Sequence, residues 1–306
     1  MRIATRGSAL ALRQAELVAD LLVARAVAVE MVPVTTAGDR DKSTPLTVLG
    51  QGVFVKGVEE MLSSGLADVA VHSLKDVPPA LTPGLELVAF PLRADPRDGL
   101  VAAHRHAAEV RGGGVRALPR QARVGTGSPR RAAQLHAVRD DLRILPIRGN
   151  LDTRIRKLRA GEYDAIVVAL AGLERLGRAD EADWTFGADE CTPAAGQGTL
   201  VIQCRSGDRT VAAIVAAVDD PQVRTESLAE RAFLAALGGG CQLPAGALAR
   251  QVGRRLAMVG VVASEDGRRL LRERVEGNRT EPEALGQALA ERMLPVAERL
   301  LVGARG

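Results

Sequence analysis

Along residues 1–90 the apolar positions switch between a period of two and a period near 3.6, the signature of strands alternating with helices. RIATR (2–6) reads as a short strand. Ser8 follows as the N-cap of a helix that carries Leu10, Leu17, Val18 and Leu21 on one face. VAVEMVPV (27–34) alternates as a strand should, and GVFVKGVEEMLSSG (52–65) reads as a helix stopped by Gly65. ADVAVHSL (67–74) and LELVAF (85–90) are further strands, so the segment predicts a parallel sheet. TAGDRDKSTPLTVLGQG (36–52) has neither period. A loop of that length in a compact α/β unit reads as a lid or binding loop, or as a surface insertion.

A second α/β unit follows the Pro-rich crossing PLRADPRDG (91–99). RVGTGSPRRAAQL (123–135) reads as strand, tight turn and helix; LRILPIRGN (142–150) as a strand ending in a polar turn; LDTRIRKLRAG (151–161) as a helix; YDAIVVAL (163–170) as a buried strand. The strand TLVIQC, behind the Gly-rich turn of CTPAAGQGTLVIQCR (191–205), is placed to pair back into the first sheet. From about residue 221 the pattern changes to a helix (222–237), three glycines, strands LAMVGVVA (256–263) and RLLRERV (269–275) around the hairpin signal Glu265-Asp266-Gly267, and a final amphipathic helix containing Pro295. The expected fold is α/β, two lobes with mainly parallel sheets plus a small α+β C-terminal domain. Its divisions fall at 1–92 with 198–216, at 96–192 and at 221–306.

A chain of 306 residues accommodates two or three domains, and 46% hydrophobic with 25% charged residues excludes a disordered or fibrous protein. No apolar run reaches the roughly 20 residues of a membrane span, and the start MRIATRGSALAL lacks the plan of a secretory signal. A cytoplasmic protein without membrane contact is expected. Aromatic residues are only 2% of the chain, too few for the stacking platforms that single-stranded nucleic acid needs, so no nucleic acid is expected as a partner. No heptad repeat is visible, which favours a monomer. Cys191, Cys204 and Cys241 have no CxxC spacing, so neither a disulfide framework nor a metal site is indicated.

Net charge is only +4, yet Arg far outnumbers Lys (Lys42, Lys56, Lys75 and Lys157 only). Coding bias accounts for a bulk excess, but not for where some of the arginines fall. Arg6 follows the first strand, Arg130 and Arg131 open a helix behind Gly125-Thr126-Gly127-Ser128, Arg148 precedes Gly149-Asn150, Arg154 begins the next helix, and Arg175 follows YDAIVVAL by a short turn. In open α/β sheets these junctions are where ligands sit. A cation at a helix N-terminus is unfavourable unless an anion joins it, so the six point to a polyanionic ligand, with Ser8, Thr126 and Ser128 beside them. HSLKDVP (72–78) ends a buried strand. Asp76 there could hold a cation, move a proton or pair with an arginine; Lys75 could meet a ligand carboxylate or Asp76; His72 reads as a hydrogen-bonded core histidine. GGGCQLP (238–244) puts Cys241 on a polar loop, where a thiol can serve as an attachment point or nucleophile. Taken alone, the two lobes would also suit a non-catalytic binder of an acidic ligand.

These blocks, in this order, resemble the porphobilinogen deaminase family over nearly the whole chain. They are RIATRGSALALRQAE, GDRD, GVFVK, ADVAVHSLKDVP, DPRDGLV, VGTGSPRRAAQL, RGNLDTR, YDAIVVALAGLERLG, PAAGQG and ERAFLAALGGGCQLP. The resemblance implies two periplasmic-binding-protein-like lobes around a cleft, with a third domain presenting Cys241. Through a thioether Cys241 would carry a dipyrromethane cofactor that the enzyme builds from its own substrate. Four porphobilinogen units would be added head to tail with loss of ammonia, and hydrolysis would release hydroxymethylbilane. By the same resemblance Asp76 is the catalytic aspartate, and Arg6, Ser8, Arg130, Arg131, Arg148, Arg154 and Arg175 bind cofactor or substrate carboxylates. Ser73, Lys75, Thr126, Ser128, Gly149 and Gln197 would line the cavity, and Phe54 would pack over a pyrrole ring. Thr47 and Gln51 stand where many relatives carry lid lysines, which puts lid contacts through those positions in doubt.

Overall fold

The computed structural model describes residues 1–36, 52, 55–238, 244–264 and 267–302, with backbone alone over 298–302. Phe54, Cys241, the lid positions Thr47 and Gln51, and Glu265-Asp266 lie outside these residues.

The first sheet has the order β2-β1-β3-β10-β4, from β1 (Arg2–Arg6), β2 (Glu30–Val34), β3 (Val69–Ser73), β4 (Leu85–Arg93) and β10 (Thr199–Arg205). β1 is parallel to both β2 and β3, while β10 inserts antiparallel between β3 and β4. The returning strand therefore lies inside the first sheet. Helices α1 (Ala9–Val23) and α2 (Lys56–Ser63) cover its two faces: Ile3, Val69 and Val71 pack with Val18, while Ala4 and Ala70 pack with Val58 and Leu62. Burial on both faces is what makes β3 read as an unbroken apolar run. The caps follow the sequence, with Ser8 accepting from Ala11 N and Gly65, at φ +72°, closing α2.

The second sheet repeats the plan in the order β7-β6-β8-β5-β9, from β5 (Asp98–Ala102), β6 (Arg123–Gly125), β7 (Arg143–Leu145), β8 (Ala165–Ala169) and β9 (Trp184–Thr185). β5 is the one reversed strand. α3 (Ala107–Gly113), α4 (Pro129–Val138), α5 (Leu151–Arg159) and α6 (Leu170–Arg175) accompany it. Along β8 Ala165 and Val167 join one core, and Ile166 and Val168 the other. α3 lies in a Gly-rich stretch too short to reveal a period.

After α7 (Arg209–Ala216), helix α8 (Pro221–Ala236) leads into an antiparallel sheet β11-β12-β13 (Ala245–Val252, Arg255–Ala263, Leu270–Asn278). The chain continues into α9 (Pro282–Val302), which runs through Pro295. Phe233, Met258, Leu289 and Met293 form the core of this domain.

Several elements depart from the sequence pattern, among them β5, β9 and α7, for which no element was expected. β4 continues to Arg93 through Pro91, which an edge strand beside a β-bulge tolerates. β7 stops at Leu145, because Pro146 has no N–H to continue the ladder. β11 is not anticipated, being built of small residues with weak strand preference. Ala245, Ala247 and Ala249 face the core, and a Cβ on Gly246 would stand 2.5 Å from Pro193 O, so the third domain seats directly on the crossing that precedes β10. The two crossings also meet each other. Ala94 N donates to Gly198 O at 3.0 Å, and Gly198, at φ +86°, packs so closely that a Cβ would run into Ala94 O.

Candidate functional site

β1 and β3 are parallel neighbours, so their C-terminal ends lie side by side. Arg6 ends the first and Ser73 the second, and Lys75 and Asp76 occupy the single helical turn that follows (Leu74–Asp76). A cavity of ≈ 60 Å³ opens at this edge, lined among others by Arg6, Ser8, Gln14, His72, Ser73 and Asp76. Asp76 is half-buried on its rim. Gln14 Nε2 donates to Ser73 Oγ at 2.9 Å, which orients the hydroxyl. The sequence did not single out Gln14: on its own it is one more polar position of an amphipathic helix, and its partner is 59 residues away.

His72 is the core histidine the sequence suggests. Gln203 Nε2 donates to Glu59 Oε1 at 2.8 Å, which turns Gln203 Oε1 toward His72 Nε2 at 3.0 Å and makes that nitrogen the donor. Burial lowers the His72 pKa, keeping the ring neutral at pH 7.

A second set of groups joins the lobes. Lys75 Nζ donates to Gln197 Oε1 at 3.2 Å, and Gln197 Nε2 donates to Asp98 Oδ1 at 2.7 Å. Asp98, at the start of β5 and 0% exposed, also receives Arg131 Nη2 at 2.6 Å and Arg130 Nη1 at 2.8 Å. Burial opposes its charge, but Arg130 and then Arg131 outweigh that and hold the carboxyl well below the usual range. This changes the reading of the two arginines. The anion at the N-terminus of α4 is the chain's own Asp98, and both guanidiniums are buried against it instead of lining an open cleft. Arg131 additionally donates to Val167 O; Arg130 turns toward Thr192 O and Gly246 of the third domain. Cys191 Sγ, 3.4 Å from Asp98 Oδ2, completes the cluster, its thiol pushed up by burial to about 12.

Asp98→Asn is expected to destabilise the fold by about 3–5 kcal/mol, since it strands two buried cations. Urea unfolding of the variant beside the wild type checks this. The carboxylate's contribution is complete above the ordinary Asp range and is lost only as pH falls below it.

The remaining residues take varied places. Ser128 caps α4, accepting from Arg131 N, and Thr126 Oγ1 accepts from Ser128 N at 3.1 Å, so both hydroxyls shape the turn. Gly149 stands at φ +105°, and its carbonyl accepts from Arg154 Nε at 2.9 Å. Burial first, then the nearby charges of Arg131 and Arg148, depress Arg154 to about 10, with Asp76 acting against them. Burial likewise lowers Lys75 to about 8, with Asp76, Arg131 and Asp98 within electrostatic reach. Lys75 and Arg154 thus both lie within electrostatic reach of Asp76, and Arg148 within reach of Arg154, so cations exceed acids around that carboxylate. That donor set fits a polycarboxylate and no metal, and among the described residues no His, Cys, Asp and Glu cluster could hold a metal ion. Arg175 is directed elsewhere, donating to Gly198 O at the crossing, and burial lowers it to about 10. Phe54 and Cys241 lie outside the described residues.

Two family models match in sequence order. One, described as porphobilinogen deaminase, dipyromethane cofactor binding domain, covers residues 1–213; the other, described as porphobilinogen deaminase, C-terminal domain, covers residues 224–295. A curated porphobilinogen deaminase of Roseiflexus castenholzii is 45% identical over 307 residues, 99% of this chain and 98% of the relative. That of Mycobacterium marinum is 44% identical over 315 residues, covering 100% and 98%. Among solved structures, an ABC-transporter periplasmic substrate-binding protein from Coxiella burnetii matches at a TM-score of 0.42 and 13% identity, covering 74% of this chain and 94% of that one.

Proposed function

Starting from a chain that belongs to the porphobilinogen deaminase family, we propose that it joins four porphobilinogen units head to tail on a dipyrromethane cofactor held by Cys241 and releases hydroxymethylbilane. In this reading it is a transferase of tetrapyrrole biosynthesis acting as a cytoplasmic monomer, without nucleic acid or membrane. The lobes are 1–92 with 198–216 and 96–192, and 221–306 is the cofactor-carrying domain. The observation that carries the reading is the cation excess around a single half-buried carboxylate, Asp76, on a chain matched to the family end to end.

When bound, the cofactor supplies the pyrrole carbon to which units are joined. The protein's own groups do the rest. Lys75, Arg148 and Arg154 hold acetate and propionate groups, with Arg6, Ser8 and the Gln14-fixed Ser73 hydroxyl on the other side of Asp76. Arg131 and Gln197 set the cleft wall through Asp98. As the carbon–nitrogen bond of porphobilinogen breaks, its electron pair leaves with ammonia and positive charge spreads over the pyrrole. An Asp76 oxygen accepts the ring N–H and stabilises that charge. Once the new carbon–carbon bond has formed, the same carboxylate takes up the displaced ring proton and passes it to solvent. Phe54 packs over a ring, and Arg130 and Arg175 act at the edges, behind the third domain and at the crossing.

Intact mass spectrometry of the purified chain tests the proposal. An excess of two pyrrole units, mapped to the peptide holding Cys241, is the expected result. A bare mass that stays bare after porphobilinogen is added overturns it.

The KM for porphobilinogen is expected to rise as pH is taken from about 7 to about 9. Lys75, lowered by burial to about 8, carries its charge below that pH and loses it above, while the guanidiniums stay charged. Lys75→Met should raise KM at neutral pH and flatten the rise, as steady-state kinetics across that range will reveal.

A further inference from the structure

The chain immediately behind Asp76 is Val77-Pro78-Pro79. Val77 N donates to Leu74 O at 3.0 Å, but the two prolines that follow have no N–H to offer, and the carbonyls of residues 77–79 need partners from elsewhere. All three find the same one. Arg231 of α8 donates from Nη1 to Val77 O at 3.2 Å, and from Nη2 to Pro78 O at 3.1 Å and Pro79 O at 3.1 Å. It has no carboxylate partner among the described residues, and burial pulls its pKa down to about 10. A half-buried cation spent wholly on backbone carbonyls is costly to maintain unless the geometry it enforces matters. Its neighbour Glu230 grips the same turn from behind: Glu230 Oε2 accepts from Gly196 N at 2.6 Å, and Gly196 packs against the Leu74 side chain. Along the sequence, α8 ends five residues before Cys241.

We infer that Arg231 is a positioning residue for the reaction, its planar fork fixing the segment behind Asp76 against α8. The inference rests on the roles proposed above for Asp76 and Cys241. A small displacement of a reacting group from its working geometry can cost ~100-fold in rate, so the clamp acts on kcat and leaves carboxylate binding, hence KM, to other residues.

Arg231→Met and Arg231→Lys, purified as holoenzyme with the covalent cofactor verified by mass, test this. Arg231→Met is expected to lower kcat by ~30- to ~100-fold with KM within about twofold, to speed amide hydrogen exchange at Lys75, Asp76 and Val77, and to cost little further when combined with Asp76→Asn. Arg231→Lys, which keeps the charge but not the fork, should recover part of kcat. A merely structural arginine would lower the melting temperature while kcat per loaded enzyme, and exchange at those amides, stayed at wild-type values; that result overturns the inference. So would full additivity with Asp76→Asn. If Arg231→Met loses the cofactor or fails to fold, the same criteria are applied to Arg231→Lys. Failure of the underlying reading is separately visible, as a wild-type chain without the two-pyrrole mass or an Asp76→Asn enzyme with unchanged kcat.

Discussion

Cys241→Ser is expected to give a folded chain with no covalent pyrroles and no measurable turnover. A thioether requires attack by sulfur in its thiolate form, and a serine hydroxyl is neither acidic nor nucleophilic enough to replace it. The other two cysteines sharpen the expectation. Burial pushes the Cys191 thiol up to about 12, with Asp98 adding to the effect, and raises Cys204 to about 11 with help from Glu86. Both lie buried, Cys191 in the Asp98 cluster and Cys204 in β10, and neither can take over as the anchor. Cys191→Ser and Cys204→Ser should therefore keep the two-pyrrole mass, and Cys241→Ser alone should lose it. Loss of the mass in either of the other variants, with Cys241→Ser still loaded, would move the attachment site.

Asp76→Asn should form and retain the cofactor slowly or not at all in growing cells, and in a preparation loaded beforehand should lower kcat by ~100- to ~1,000-fold. The amide keeps the size of the side chain and one acceptor oxygen but not the negative charge. The ground-state hydrogen bond to a pyrrole N–H survives, while stabilisation of the cation left by ammonia is lost. KM should change far less than kcat, because the proposed reading assigns the carboxylates of the substrate to Lys75, Arg148 and Arg154. Single-turnover kinetics on loaded enzyme would measure this directly. An Asp76→Asn enzyme at half the wild-type kcat would remove Asp76 from the chemistry and leave it as a counter-charge for the cleft arginines.

The two predictions rest on different kinds of legibility. Strand and helix periods were readable in elements such as β3, β8 and α8, because burial imposes a pattern on neighbouring residues, but not in β5, which is buried along its whole length and only five residues long. The pattern failed at β11, whose alanines and Gly246 were selected by close approach to Pro193 and Thr192, contacts that leave no period behind. It also failed at β4, where the edge position decides that Pro91 is harmless. Ser8 and Ser128 were visible as caps because capping is local.

The arginines mark the boundary most clearly. Their places at strand-to-helix junctions were evident in the sequence, and so was the conclusion that an anion belongs there. Which anion was not. For Arg130 and Arg131 it is Asp98, about thirty residues earlier in the chain and brought to them by β5, which reverses against β8. Around Arg154 the nearby charges are Arg131 and Arg148 with Asp76 between them in weight, a mixture that no reading of single positions would show. Gln14 against Ser73, Gln197 between Lys75 and Asp98, and Arg231 over the Val77–Pro79 carbonyls are likewise pairings between distant segments. By itself the sequence determined the layered α/β plan and the family, since local periodicity and a collinear set of motifs carry that information. Tertiary structure alone decided that Arg130 and Arg131 are neutralised from within, because a buried charge is defined by the neighbours that desolvate and pair it, and those neighbours are adjacent only in space.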